Sequence, residues 1–207
     1  MIATQRIALA LACLVGATQA QAAGGPFGID HRVKYDNSGI WRRSIQTDLS
    51  IGVGVAVLGG ALWEGGDDRL GKTLWQSVDS LALTAASTEV MKFTFSRERP
   101  SQTSDPNQFF KGHGNKSFPS GEVAEISAAV TPFVLEYGED HPWVYALEVL
   151  PAYDMIARVK TRGHWQSDVI AGMAIGSAVG WYAHKRENPL ILSALPGGFM
   201  VGLHKRF

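Results

Sequence analysis

Apolar residues recur at helical spacing in several stretches of this chain, with polar and glycine-rich segments between them. From Thr73 to about Ser96 the spacing runs through Leu74, Val78, Leu81, Leu83, Val90 and Met91, which predicts a helix. Arg99-Pro100 marks its end, because the residue before a proline avoids helical angles. Ser120 to about Tyr137, Pro142 to about Arg158 and Gln166 to His184 predict three more helices. The last of these presents a face of small residues: Ala171, Gly172, Ala174, Gly176, Ser177 and Gly180. An earlier helix, capped by Thr47 or Asp48, ends near Trp63, before the loop Glu64-Gly65-Gly66-Asp67-Asp68. Gly24 to Arg43 reads as an irregular arm. Ser101 to Ser117 is a polar loop long enough to suggest a functional role. Leu190–Leu203 has the pattern of a short β-hairpin about Pro196-Gly197-Gly198. The expected architecture is one all-α, helical-bundle domain over residues 23–207, without repeats or an internal boundary.

Residues 1–22 stand apart from that domain. Arg6 precedes an apolar run, Ile7 to Ala17, and Ala20-Gln21-Ala22 supplies small residues at cleavage spacing. This is the pattern of a secretory signal peptide and predicts export to the periplasm. Its removal takes away Cys13, the chain's one cysteine, so disulfides and thiol catalysis are excluded from the mature protein. Formal charge is zero over the 207 residues, which removes the bulk field that would recruit nucleic acid. The longest uncharged helical runs, Ser50–Trp63 and Val169–Ala183, fall short of the about 20 residues that a membrane-spanning helix needs. The expectation is no transmembrane span in the mature chain, with peripheral envelope contact still open. The sequence carries no signal of oligomeric state.

With net charge near zero, any anion chemistry must come from a local cluster, and three short elements supply one. Lys92 and Arg99 lie about two helical turns apart. Ser117-Phe118-Pro119-Ser120-Gly121 brings a hydroxyl and bare backbone amides to a helix start, where free N–H groups and the helix dipole attract anions. Arg158, His164 and Asp168 complete the set, the last two one turn apart. A phosphoryl group in transit spreads charge over its oxygens, so catalysis rests mostly on positioning and electrostatic stabilisation. Lys92, Arg99 and Arg158 bring positive charge, with the arginines able to grip bidentately. Neutral His164 can attack phosphorus while Asp168 holds its other N–H. His164 and Asp168 also have the spacing of a metal-ligand pair, although no second pair accompanies them. Ser120 can act as helix cap, oxyanion contact or both.

These elements resemble the type 2 phosphatidic acid phosphatase superfamily, which includes bacterial class A acid phosphatases and vanadium haloperoxidases. That family carries Lys-x6-Arg-Pro, Pro-Ser-Gly-His and Ser-Arg-x5-His-x3-Asp. Here they read Lys92-x6-Arg99-Pro100, Pro119-Ser120-Gly121-Glu122 and Ala157-Arg158-x5-His164-x3-Asp168. His164-Trp165-Gln166-Ser167-Asp168 looks most like the class A acid phosphatases. The resemblance implies an all-helical core, a phosphohistidine intermediate on His164, and no cofactor or required metal. It further implies that Lys92, Arg99, Ser120, Gly121 and Arg158 hold the phosphate of a phosphorylated small molecule or lipid head group.

Two positions depart from the family. Ala157 replaces a serine. Glu122 replaces the histidine that protonates the leaving oxygen and later activates water. A carboxyl group can do both in principle, but its ordinary pKa of about 4.3 would fall further beside three cations, which predicts an acidic optimum. The same substitution admits a second reading, a phosphate-binding pseudoenzyme or envelope-associated recognition protein. Lys116, His113 and Arg162 flank the motifs as substrate contacts or as surface charges, and Trp165 reads as a packing residue. Gly66-Asp67-Asp68-Arg69-Leu70-Gly71-Lys72-Thr73 matches the nucleotide-binding P-loop pattern letter for letter. Its aspartates would face phosphates and no strand–helix units surround it, so Gly71-Lys72-Thr73 is read as a helix start.

Overall fold

The stretch that imitates a P-loop starts a helix. In the computed structural model, which describes residues 24–112, 114–186 and 189, Asp68 accepts a 2.6 Å hydrogen bond from the Gly71 backbone N–H. It thereby caps the second of five α-helices among the described residues. These are α1 (Arg43–Glu64), α2 (Arg69–Phe95), α3 (Gly121–Tyr137), α4 (Val149–Lys160) and α5 (Gln166–His184). Short 3-10 turns cover Pro26–Gly28, Gly39–Trp41 and Pro142–Glu148. The described residues contain no β-strand, only an isolated bridge between Gly24 and Asp30. The expected signal peptide and C-terminal hairpin lie outside the described residues.

α3 is the centre of the bundle and packs against each of the other four helices. Val123, Ala124, Ile126, Ala128, Ala129, Val130 and Val134 on it are buried, the larger ones each contributing roughly 1.5–3 kcal/mol of transfer free energy. Ile126, Val130 and Val134 pack with Leu49, Leu147 and Leu150, while Ala61, Leu74 and Trp75 form a second cluster with Val78 and Phe133. The small-residue face of α5 lies against α3. A Cβ on Gly172 would come within 2.5 Å of the Ser120 carbonyl oxygen, and one on Gly176 within 2.0 Å of that of Ala124. Glycine is needed there because two backbones touch. The contact locks the start of α3 to the start of α5, where the motif residues sit.

Two boundaries differ from the sequence reading. Pro142–Glu148 is a 3-10 segment, and α4 begins at Val149 with Pro151 in its first turn, where a missing N–H costs nothing. α1 begins at Arg43, earlier than Thr47 or Asp48. The reason is a cap from a distance: Asn37 Oδ1 accepts from the Arg43 backbone N–H at 2.7 Å, and Thr47 Oγ1 bonds back to the Arg43 carbonyl. The longer helix leaves the expectation of no transmembrane span unconfirmed. At 22 residues α1 is long and apolar enough to cross a bilayer, because the uncharged run alone understated its length. Much of it faces outward. Ile51, Val55, Leu58 and Leu62 form one exposed stripe, with Val55 66% and the neighbouring Trp63 83% accessible.

Candidate active site

The motif residues come together where four helix ends meet. Lys92 is in the last turn of α2, and Arg99 follows once Ser96, in the left-handed region at φ 39°, has turned the chain out of the helix. Gly121 and Glu122 open α3, Arg158 is in the last turn of α4, and His164 lies in the link to α5. All six line one cavity of about 440 Å³. α1 supplies another wall through Arg43, Thr47, Ser50 and Ile51. Ser120 and Asp168 lie outside the lining. Ser120 is buried with its hydroxyl unpartnered and makes no side-chain cap bond, so capping is not its role here.

His164 is held by a backbone carbonyl. Its Nδ1 lies 2.6 Å from the Ser117 carbonyl oxygen and 3.8 Å from the nearest Asp168 carboxylate oxygen. A carbonyl can only accept, so Nδ1 carries the proton of the neutral ring and Nε2 keeps its lone pair. Burial lowers the imidazole pKa to about 4 despite Asp168, so the ring is neutral over most of the pH range. The expected direct Asp168 bond to the imidazole is therefore replaced by a relay. Asp168 Oδ2 accepts from the Ser117 hydroxyl at 2.5 Å and from the Trp165 backbone N–H at 2.9 Å. The carboxylate thus grips the residue whose carbonyl grips the histidine, and it caps α5. Burial acts to raise the Asp168 pKa, but His164, Arg97 and Ser117 outweigh it and keep the group ionised.

Behind Asp168 is a buried ionic network that the motifs did not reveal. Arg97, fully buried, donates to Asp168 Oδ1 at 2.5 Å, to Asp30 Oδ2 at 2.7 Å and to Ser167 Oγ at 2.8 Å. Asp30 also accepts from the Ser167 backbone and hydroxyl at 2.7 and 2.6 Å. The irregular arm is thus stitched to the site through Asp30. Nothing in a single sequence picks out Arg97 from the other basic residues or links it to an aspartate far upstream.

The three expected cations are held around the cavity, whose lining also carries Glu122 and Glu125. Burial lowers the Arg158 pKa to about 10 and also lowers that of Arg99, yet both remain charged at neutral pH. Arg158 Nη1 donates to Gln46 Oε1 at 3.2 Å, and its Nε is buried without a partner. Arg99 Nη2 donates to the Lys116 carbonyl at 3.2 Å. Lys92 Nζ is 2.9 Å from Glu89, which Lys116 also pairs at 2.8 Å. The Lys92 ammonium lies against Gly121, where a Cβ would come within 2.6 Å of it. Lys116 and Arg162 have structural partners, Arg162 Nε donating to the Val33 carbonyl at 2.9 Å, and His113 lies outside the described residues. Trp165 is fully buried, as a packing residue should be.

Glu122 faces the same cavity but is already engaged. Arg43 clasps it with both arms of the guanidinium, Nη1 to Oε2 at 2.5 Å and Nη2 to Oε1, and Arg158 lies 3.9 Å away. Burial pushes its pKa up, yet the Arg43 bonds and the charges of Arg158, Arg43 and His164 hold it below the usual carboxylate range. In this arrangement Glu122 can accept a proton but has none to give. Asp154, one turn before Arg158, is fully buried with both carboxylate oxygens unpartnered, and burial together with the Glu122 charge raises it to about 7. Arg43 and Gln46 lie at the arm–helix junction and Asp154 inside a helix, where spacing gave no signal.

Chemically, the arrangement offers a bare imidazole nitrogen, three cations and a helix N-terminus around one cavity. Among the described residues, no group of three His, Cys, Asp or Glu side chains could hold a metal ion. Residues 73–190, more than half of the chain, match the PAP2 superfamily. A lipid A 1-phosphatase of Porphyromonas gingivalis is 33% identical over 119 residues, covering 57% of this chain and 24% of that protein. The chain therefore aligns with about a quarter of its relative's length. No solved structure matches it.

Proposed function

The chain belongs to the PAP2 superfamily, and from that premise we propose that it is a periplasmic phosphatase that removes phosphate from membrane lipids through a phosphohistidine on His164. One observation carries the reading: Lys92, Arg99, Arg158 and His164, far apart in sequence, line a single cavity. His164 Nε2 attacks phosphorus while the three cations and the Gly121 amide hold the phosphate oxygens. The unpartnered hydroxyl of Ser120, buried behind that amide, becomes a further oxyanion donor once it turns into the cavity. Asp168, through Ser117 and its own negative charge, steadies the imidazolium-like ring that forms. None of these roles requires a metal.

A lipid phosphate is favoured over a soluble ester by α1. Ile51 belongs both to the cavity wall and to the exposed apolar stripe of Val55, Leu58 and Leu62. A bilayer lipid whose acyl chains lie along that stripe can place its head group in the cavity, and the lipid A 1-phosphatase relative fits this substrate class. The leader pattern in residues 1–22 supports the periplasmic location.

The second reading, a phosphate-binding pseudoenzyme, draws on the Arg43–Glu122 clasp, in which a carboxylate occupies the grip of a cation beside the nucleophile. A phosphate-release panel across pH separates the two. It should span nucleotides, sugar phosphates, a generic aryl phosphate and lipid phosphates in mixed micelles, with His164→Ala as the blank. Turnover favouring the lipids supports the proposal. Vanadate-sensitive binding without turnover of any substrate leaves the pseudoenzyme.

A further inference from the structure

The chemistry left unassigned is the proton for the leaving group. Glu122 occupies the place where the family has a histidine, but clasped by Arg43 it carries no proton. Arg43 is the one cavity cation held by a carboxylate through both arms, and it enters from a different helix than Lys92, Arg99 and Arg158. Its side chain is 43% accessible, so it can swing. The groups facing Glu122 are Arg43 on α1, Arg158 and the buried Asp154 on α4, and His164 in the following link, with Arg99 and Glu125 on the same cavity wall.

Resting on the phosphatase reading, we propose that Arg43 is a substrate-responsive positioning residue: its guanidinium fork passes from Glu122 to the incoming phosphate and so frees Glu122 to hold the proton that the leaving oxygen needs. The exchange is like for like, since a phosphate offers the same pair of oxygens to the fork as a carboxylate does. Released from Arg43, Glu122 loses its strongest anion-favouring contact while its burial remains, and the phosphate dianion beside it favours the neutral acid further.

The step balances. His164 Nε2 forms the P–N bond as the bond from phosphorus to the leaving oxygen breaks. The electron pair goes to that oxygen, which takes the Glu122 proton and departs as an alcohol. The Glu122 carboxylate then removes a proton from water as the water oxygen attacks phosphorus, and the P–N electrons return to Nε2. When phosphate leaves, Arg43 closes on Glu122 again and the proton passes to solvent.

The test is a titration of the Glu122 carboxyl carbon by NMR, its signal assigned with Glu122→Gln, in the full mature chain with and without saturating sulfate. Sulfate is a tetrahedral dianion that does not itself titrate in the range used. The wild-type midpoint should rise by about one pH unit or more with sulfate. In Arg43→Gln it should already be high without sulfate, and the further rise should be smaller. Arg43→Lys, which keeps charge but not the fork, should fall between. Equal sulfate-induced rises in wild type and Arg43→Gln overturn the proposal, because the anion's charge alone would then explain them, and so does no rise while sulfate binds. Absence of phosphatase activity alongside the predicted shifts defeats the phosphatase reading but leaves the exchange standing, so the two fail separately.

Discussion

His164 Nδ1 is 2.6 Å from the Ser117 carbonyl, while the Ser117 hydroxyl is 2.5 Å from Asp168. One residue thus joins the nucleophile to the buried carboxylate by its two ends. A carbonyl cannot change protonation, so the ring keeps its tautomer through the cycle, and Asp168 acts by charge and by placing Ser117.

This division separates two variants. Ser117→Ala keeps the carbonyl and should lose about 1–3 kcal/mol of stability from the unpaired Asp168 oxygen, with a rate loss under about tenfold. Asp168→Asn breaks the buried pair with Arg97 and should cost roughly 3–5 kcal/mol as well as most of kcat. Urea melts beside initial rates check both. Equal effects from the two variants would contradict a contribution of the Asp168 charge beyond its hold on Ser117.

Activity should persist into acid. Burial lowers His164 to about 4, so protonation removes the nucleophile only near that pH. Above the optimum, loss of the Glu122 proton should limit turnover of substrates with poor leaving groups. The kcat/KM profile, corrected for ionisation of the substrate, should therefore show an acidic optimum with its acid limb near pH 4. An acid limb near the ordinary histidine value of about 6.5 would mean that the ring is more solvated than described.

Asp154 makes stability depend on pH with a definite sign. Its folded value of about 7 lies above the ordinary value, so the folded state holds the extra proton. The stabilising contribution is complete below about pH 4 and is lost as pH rises through about 7, on the order of 4 kcal/mol in all. His164, lowered by burial, contributes the opposite slope between about 4 and 6.5. The difference between wild type and Asp154→Asn isolates the first effect. The variant should gain on wild type as pH rises from about 4 to 8 in thermal melts. A constant difference would show that Asp154 does not take up that proton.

Much of this was legible in the sequence. Periodicity located the helices, and the last one, expected from about Gln166 to His184, spans Gln166–His184 with Gly172, Gly176 and Gly180 on its small-residue face. The motif spacing named six of the residues that line the cavity. Local pattern failed where partners are distant in sequence. Asn37 starts α1 from outside the helix, Asp30 reaches Arg97 and Ser167 from the arm, and Arg43 reaches Glu122 across the cavity. The membrane reading passed over α1 as a candidate because it counted uncharged residues, whereas α1 carries Arg43 and Asp48 within its length.

The close approach of α3 and α5 gives a packing test. A methyl on Gly176 would lie 2.0 Å from the Ala124 carbonyl oxygen, a backbone atom that cannot move aside by itself. Gly176→Ala should cost about 1–3 kcal/mol, the usual range for overpacking. Gly121→Ala comes into close contact with the end of the movable Lys92 side chain and should weaken phosphate binding with little loss of stability. Denaturant melts and vanadate inhibition constants distinguish the two, and a stable Gly176→Ala would contradict the helix contact.

The claim that His164 becomes phosphorylated can be tested by trapping. Enzyme mixed with an aryl phosphate is quenched in alkali within one turnover, digested and examined by mass spectrometry. The account predicts a phosphoryl group on the peptide carrying His164, absent from His164→Ala, whose turnover is lost. Label on another residue, or undiminished turnover by His164→Ala, would contradict it.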